Sequence, residues 1–407
     1  MRRWLLVWSV ALLCCAALLP NLAKASGKWE LQYEHIDADD DLRLFDIAFI
    51  DANRGIASGL LTSRKNGRVR PVNLVTTNGR TWTVAQTKKA CPDLFALPQG
   101  ILFAACEDGI YRSDEMGKDW ERQAKLKNIS RIWFVSPSRG FAIGAEKSFY
   151  ETSDGGKRWS AVKTNPELTT SKEYSSLHHI DFADEKNAII TGWSRIPRAG
   201  RELFPDWMTP DRAVRQRDTP HVNFLIDSRD GGATWTAQEV SMFGEIVSAK
   251  LSDDGIGLGL INFSNAFEFP SEVFVFRWPS GVTERVFREK NRAITDIALP
   301  RGGPAYLVGI EPGGALFWSP VAGRLKVLET TDFHEWTEMA VDYRASATRA
   351  SFAVLDPANI WVFTDTGKIL KLSRDSTSLP QRTAPPARTP AAQPPAAQRP
   401  EAAKPAP

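Results

Sequence analysis

Histidine, cysteine, methionine and tyrosine are all scarce in this chain of 407 residues, at five, four, five and six copies. So few His and Cys, without regular spacing, argue against a metal centre built from them. Neither a GxxxxGK[ST] stretch nor a GxGxxG stretch opening a helix occurs, so the two common phosphate-cradling loops are missing. An excess of charge is missing too. The formal charge is +3, and Arg2, Arg3 and Lys24 account for it, leaving the chain beyond them neutral. Such a chain has no general electrostatic drive toward nucleic acid, and no nucleic-acid partner or cofactor is expected. After the N-terminal segment no stretch approaches the roughly 18 uncharged apolar residues of a membrane helix.

What is present begins with residues 1–25. Arg2 and Arg3 precede an apolar run from Trp4 to Leu19, then Pro20, then "AKA" followed by Ser26. This is the pattern of a secretory signal, and it predicts export to a bacterial periplasm or cell envelope. Retained uncleaved, the same segment would be an anchor. Cys14 and Cys15 do not fit a lipoprotein site, because "ALL" and "LLC" ahead of them lack the small residue such a site needs next to the Cys. Cys91 and Cys106 then remain, in "CPDLFALPQGILFAAC". A hairpin centred between Pro98 and Gln99 places 91 opposite 106, which predicts facing thiols and, after export, a disulfide.

A strand, turn, strand pattern recurs along the body: "FIDANRGIASG" from Phe49, "FALPQGILFAAC" from Phe95, "FVSPSRGFAIG" from Phe134, "FADEKNAIITG" from Phe182, "LSDDGIGLGL" from Leu251, "LPRGGPAYLVG" from Leu299 and "LDPANIWVF" from Leu355. Seven copies spaced by about 40 to 50 residues, with two hairpins per unit, are the sign of four-stranded propeller blades. The expected fold is all-β, a seven-bladed β-propeller over 26–373.

A second motif follows these hairpins: "VTTNGRTW" ending at Trp82, "SDEMGKDW" at Trp120, "TSDGGKRW" at Trp159, "SRDGGATW" at Trp235 and the eroded "TTDFHEW" at Trp336. Read physically, it is the turn between a blade's two outer strands. Asp230 accepts amide hydrogen bonds, Gly232 supplies a positive φ, and Trp235 fills the space between blades. Ser228, Asp230, Gly232, Thr234 and Trp235 resemble the Asp-box, or bacterial neuraminidase repeat, at every specified position. Asp154, Gly156 and Trp159 keep its centre. The copies at Trp82 and Trp120 carry Thr77 and Glu115 where the Asp is expected, which suggests looser turns. Together with the period and the "D-x-x-R-G" turn of Asp51 to Gly55, the chain most resembles the photosystem II assembly-factor-like family of seven-bladed propellers. That resemblance implies a non-enzymatic exported scaffold or assembly factor, acting as a monomer that binds another protein, such as a membrane complex at its periplasmic face.

Two segments fall outside the repeat. From Arg374 to Pro407 there are nine prolines and nine alanines in 34 residues, a composition that cannot bury a core and predicts a disordered tail. Residues 193–221 form an insertion in the fourth unit. Arg195, Arg198, Arg201, Arg212, Arg215 and Arg217 are interleaved there with Phe204 and Trp207, the composition of a protein interface on a long loop. The alternative function is an exported carbohydrate-active protein, sialidase-like or glycan-binding, using the central face. It draws on "RIP" at Arg195 to Pro197 and on the Tyr343, Arg344 pair. A sialidase, however, carries its arginine motif ahead of the first box, and no spacing here supplies its other residues. His178, His179, Asp181 and His221 read as polar strand-end residues, and Asp37 with Asp39, Asp40 and Asp41 as a solvated acidic loop.

Overall fold

The computed structural model describes residues 27–195, 220–263, 269–278, 281–311, 323–374 and 380–382. The expected signal segment lies outside them. Seven separate sheets form, each an antiparallel meander of four strands, with one short extra strand on each of two sheets. The first strands of successive sheets, Asp40–Phe49, Asp93–Ala96, Ile129–Phe134, Ser175–Phe182, Glu245–Leu251, Ala293–Ala298 and Ala350–Asp356, line the centre of the ring. The chain is thus a seven-bladed β-propeller, and all seven recurring hairpins join a first strand to a second.

The pairing of Phe with Gly in the hairpin copies has a packing cause. Phe49 and Gly55 are register partners, as are Phe134 and Gly140. A Cβ on Gly55 would lie 2.6 Å from the Phe49 ring, and one on Gly140 would lie 2.5 Å from Phe134. Glycine therefore makes room for a ring that reaches the preceding blade, where Phe49 stacks on Trp361 and Phe134 on Phe103, each pair at 3.6 Å. The buried apolar residues divide into seven clusters, each joining two neighbouring blades. Cohesion between blades is thus hydrophobic, while cohesion within a blade is the backbone ladder.

Closure uses the start of the described chain. Strand Lys28–Glu34 is the fourth strand of the seventh blade, antiparallel to Lys368–Ser373, with Lys28 opposite Ser373, and the short strand Ala340–Val341 pairs outside it. Trp29, 2% exposed, packs edge-on against Tyr306 of the sixth blade.

Because consecutive strands alternate in direction, the turns after the first and third strands lie on one face of the disc, here the turn face. Connections after the second and fourth strands lie on the other, the loop face. The second and third strands of the fourth blade, Ala188–Ser194 and His221–Ser228, end and begin at the loop face, so the two stems of the insertion lie there.

Two residues of the expected tail are held against the turn face. Arg374 donates to Tyr306 Oη at 2.5 Å and pairs with Glu329. Arg382, 2% exposed in its side chain, pairs with Asp254 at 2.7 Å, donates to Ser252 Oγ at 2.6 Å and lies over the Phe333 ring. Residues 375–379 and 383–407 lie outside the described residues.

A disulfide joins Cys91 and Cys106. The hairpin register differs by one from the sequence expectation: Asp93 faces Ala105 and Leu94 faces Ala104, so Cys91 precedes the ladder instead of sitting opposite Cys106 within it. The turn is one residue out because Leu97 and Ile101 close it through a backbone bond of 2.8 Å.

Candidate partner-binding face

The recurring octet is built as a turn. Ser228 Oγ accepts from Gly232 N at 2.7 Å, Asp230 accepts from Thr234 N at 2.8 Å and from its hydroxyl at 2.5 Å, and Trp235 Nε1 donates to Gly232 O at 3.0 Å. These bonds to its charged form hold the Asp230 carboxyl down to about 2. Trp235 packs edge-on to Phe141 and Phe149 of the third blade. In the third blade Thr152 Oγ1, Asp154, Gly156 and Trp159 repeat the scheme. The first glycine also ties the octet down. Gly79, Gly155 and Gly231 donate to the Asn53, Ser138 and Lys186 carbonyls at 2.7, 2.8 and 2.8 Å, fastening each octet to the inner hairpin of its own blade. At Trp82 the Asp role falls to Asn78, which accepts from Arg80 N and Thr81 N. That turn is one residue shorter, so counting back from Trp82 landed on Thr77. These groups are spent on the backbone and do not converge on one point.

At the axis, carboxylates brace the ring. Asp46 accepts from Leu94 N at 2.8 Å, Asp93 from Ile132 N at 2.7 Å, Asp181 from Leu251 N at 2.9 Å and Asp296 from Phe352 N at 2.9 Å, each reaching the next blade's first strand. Arg131 donates to Asp93 at 2.5 Å and lies 3.8 Å from Asp46, while Lys250 lies 3.5 Å from Asp181. Burial and the Asp93 charge push the Asp46 carboxyl up to about 7, against the opposing pull of Arg131. Burial drives His179 well below its ordinary range. Asp46 and Asp93 share Arg131 between them, so these two groups work as a brace between blades. Among the described residues no group of three His, Cys, Asp or Glu is placed to hold a metal ion.

The insertion is rooted firmly. The ladder runs to its base, pairing Trp193 with Asn223 and Ser194 with Val222. His178 stacks on Trp193 at 3.6 Å, and burial lowers its imidazole to about 4. Glu245, at the start of the fifth blade, accepts from Arg195 Nε at 3.1 Å and lies 3.2 Å from His221 Nδ1, so one carboxylate stands beside both stems. Burial alone would raise Glu245, but these two neighbours bring it below the usual range. Arg195, 69% exposed, is the expected partner-binding residue that the structure describes. Arg198, Arg201, Phe204, Trp207, Arg212, Arg215 and Arg217 lie outside the described residues.

Other residues singled out in the sequence are dispersed. Tyr343 is 84% exposed and Arg344 is tied to Asp342 at 2.8 Å, on the connection between the sixth and seventh blades. Asp40 and Asp41 pair with Arg70 and Arg64, each at 2.5 Å. Glu245 and Arg382 went unnoticed in the sequence because their partners are distant in the chain and no local pattern marks them.

No family model matches the chain. A curated relative, the photosystem II assembly lipoprotein Ycf48 of Synechococcus sp. (strain CC9902), is 22% identical over 275 residues, spanning 62% of this chain and 73% of its own length. Among solved structures, YCF48 bound to a D1 peptide superposes with a TM-score of 0.55 at 15% identity, covering 86% of this chain and 97% of that one. YCF48 from Cyanidioschyzon merolae gives 0.54 at 14% identity, with coverage of 84% and 98%. The chain is similar to the Ycf48 propellers in overall fold.

Proposed function

We propose, proceeding from the likeness to Ycf48, that this propeller is an exported, non-enzymatic assembly factor that binds another protein through its loop face. The observation carrying this reading is the arginine and aromatic insertion, rooted by Glu245 between the fourth and fifth blades. Arginine suits such a surface because its guanidinium pairs bidentately with carboxylates, and aromatic rings supply contact area at low entropic cost. The relative's name describes an assembly lipoprotein, and one similar structure carries a bound D1 peptide; both support a protein partner. Export to the periplasm or envelope is supported by residues 1–25 and by the Cys91 and Cys106 disulfide, which an oxidising compartment maintains. The partner we propose is a membrane protein or complex exposed at that compartment. The turn face, filled by octet turns and the Arg382 contact, serves the fold.

Affinity capture from detergent-solubilised envelope tests this. The mature chain is compared with a variant carrying Arg198→Glu, Arg201→Glu, Arg212→Glu and Arg215→Glu. A membrane protein recovered with the wild type and lost with the variant is expected. Equal recovery from both would remove the insertion from the interface.

A further inference from the structure

We infer that a basic groove on the loop face of the third blade is a second binding site, for an acidic peptide segment. It rests on the reading of that face as protein-binding and names the chemistry recognised beside the insertion. The groove is a cavity of about 460 Å³ between the connection entering the third blade and that blade's own second-to-third strand turn. This is within the range of roughly 300–1,000 Å³ found for specific ligand sites. Lys125, Lys127, Lys147 and Lys172 line it, with Glu146 as its acidic residue. Lys147 faces Glu167 and Glu239, so the exposed cations are Lys125, Lys127 and Lys172, three ammonium groups beside Glu146 on a body, residues 26–373, whose formal charge is about −3.

The walls are held in shape by unusual backbone. Asn128, Glu146 and Lys147 have φ of 63°, 57° and 56°, left-handed values that non-glycine residues adopt at a cost. Ala145 N donates to Asn128 O at 2.8 Å, locking the two walls together, and a Cβ on Gly144 would strike Asn128 O at 1.8 Å. Lys147 Nζ is fixed by the Leu168 carbonyl at 2.8 Å and by that of Thr170. The other three lysines differ, since among the described residues none of Lys125, Lys127 and Lys172 enters an ion pair. Phe149, itself buried in the core, lies beneath the groove, and the surface the groove offers is mostly polar. Exposed ammonium groups around a polar groove suit the carboxylates of an acidic peptide, whereas a phosphate backbone needs a continuous cationic track.

Fluorescence anisotropy on the purified mature chain tests the inference, with a labelled short peptide of Glu and Leu as probe and its Gln and Leu counterpart as control. The Glu peptide is expected to bind saturably and to weaken with salt. Lys125→Glu, Lys127→Glu and Lys172→Glu together should weaken it by about tenfold or more. These three side chains are exposed, so the variant should keep the wild-type circular dichroism and thermal midpoint. Lys147→Met, made separately, should weaken binding less. Absence of binding, equal binding of the Gln peptide, unchanged affinity in the triple variant, or tighter binding of a thymidine oligonucleotide at the same salt would overturn the inference. The arginine-to-glutamate insertion variant serves as the second arm. Peptide binding lost there and kept in the lysine variant would reject the groove while leaving the proposed function standing. Failure of the envelope capture with peptide binding intact would do the reverse.

Discussion

Gly232 has φ +87°, and a Cβ placed on it would lie 2.5 Å from Phe141 of the neighbouring blade. Gly302 shares the left-handed backbone, at φ +65°, but has open space around it. Comparing the two separates backbone strain from inter-blade packing. Gly302→Ala is expected to cost about 1 kcal/mol, and Gly232→Ala roughly 3 kcal/mol, because strain and overpacking add. Urea unfolding midpoints check this, and equal losses would deny the octet its role between blades. Asp46 makes a pH-dependent contribution. Its carboxyl is raised from 3.8 to about 7, so the folded state favours the protonated acid. Such a contribution is complete below the unfolded value and is lost as pH rises through the folded one. Asp46→Asn keeps an acceptor for Leu94, yet cannot ionise. The wild-type melting temperature should therefore fall relative to that of D46N between about pH 4 and about pH 7. Parallel curves would contradict the assignment.

At the scale of elements, the chain closes its ring by strand pairing and adds a clasp. Lys28–Glu34 completes the seventh blade, while Arg374 and Arg382 cross the turn face to the sixth and fifth blades. Arg382 reaches both, through Ser252 and Asp254 on one side and Phe333 on the other. Arg382→Ala should remove the contacts to Ser252 and Asp254 and, because water reaches the exposed Asp254 carboxylate, lower stability by about 1 kcal/mol. Truncation after Ser373, which also removes Arg374, should cost more. Thermal unfolding of both variants measures this, and a truncated chain as stable as wild type would make the contact incidental. Proline and alanine content predicted a tail with no core of its own, and composition does not reveal that one arginine within it finds a buried pocket. The octets were legible because their bonds run only two to four residues along the chain, as from Ser228 to Gly232. The same locality explains the one misplaced Asp: deletion of a single turn residue moves the acceptor to Asn78 without changing its bonds.

For the whole molecule, strand alternation sorts the functions by face. Lys28 pairs with Ser373 at the turn face, so the closing strand begins and the third strand of the seventh blade ends on that face. The stems of the insertion and the basic groove share the opposite face. A bait immobilised through either terminus should therefore still present the loop face in the envelope capture. Seven blades, their hairpins and the place of the insertion could be read from the sequence, because two-residue alternation and turn chemistry are written locally. The tertiary structure alone decided the closing strand, the carboxylate braces at the axis, the placing of Glu245 beside both insertion stems, the Arg382 clasp and the basic groove. Each of these joins groups far apart in the chain, and their meeting depends on how many blades close the ring and at what register, which no local pattern of residues specifies.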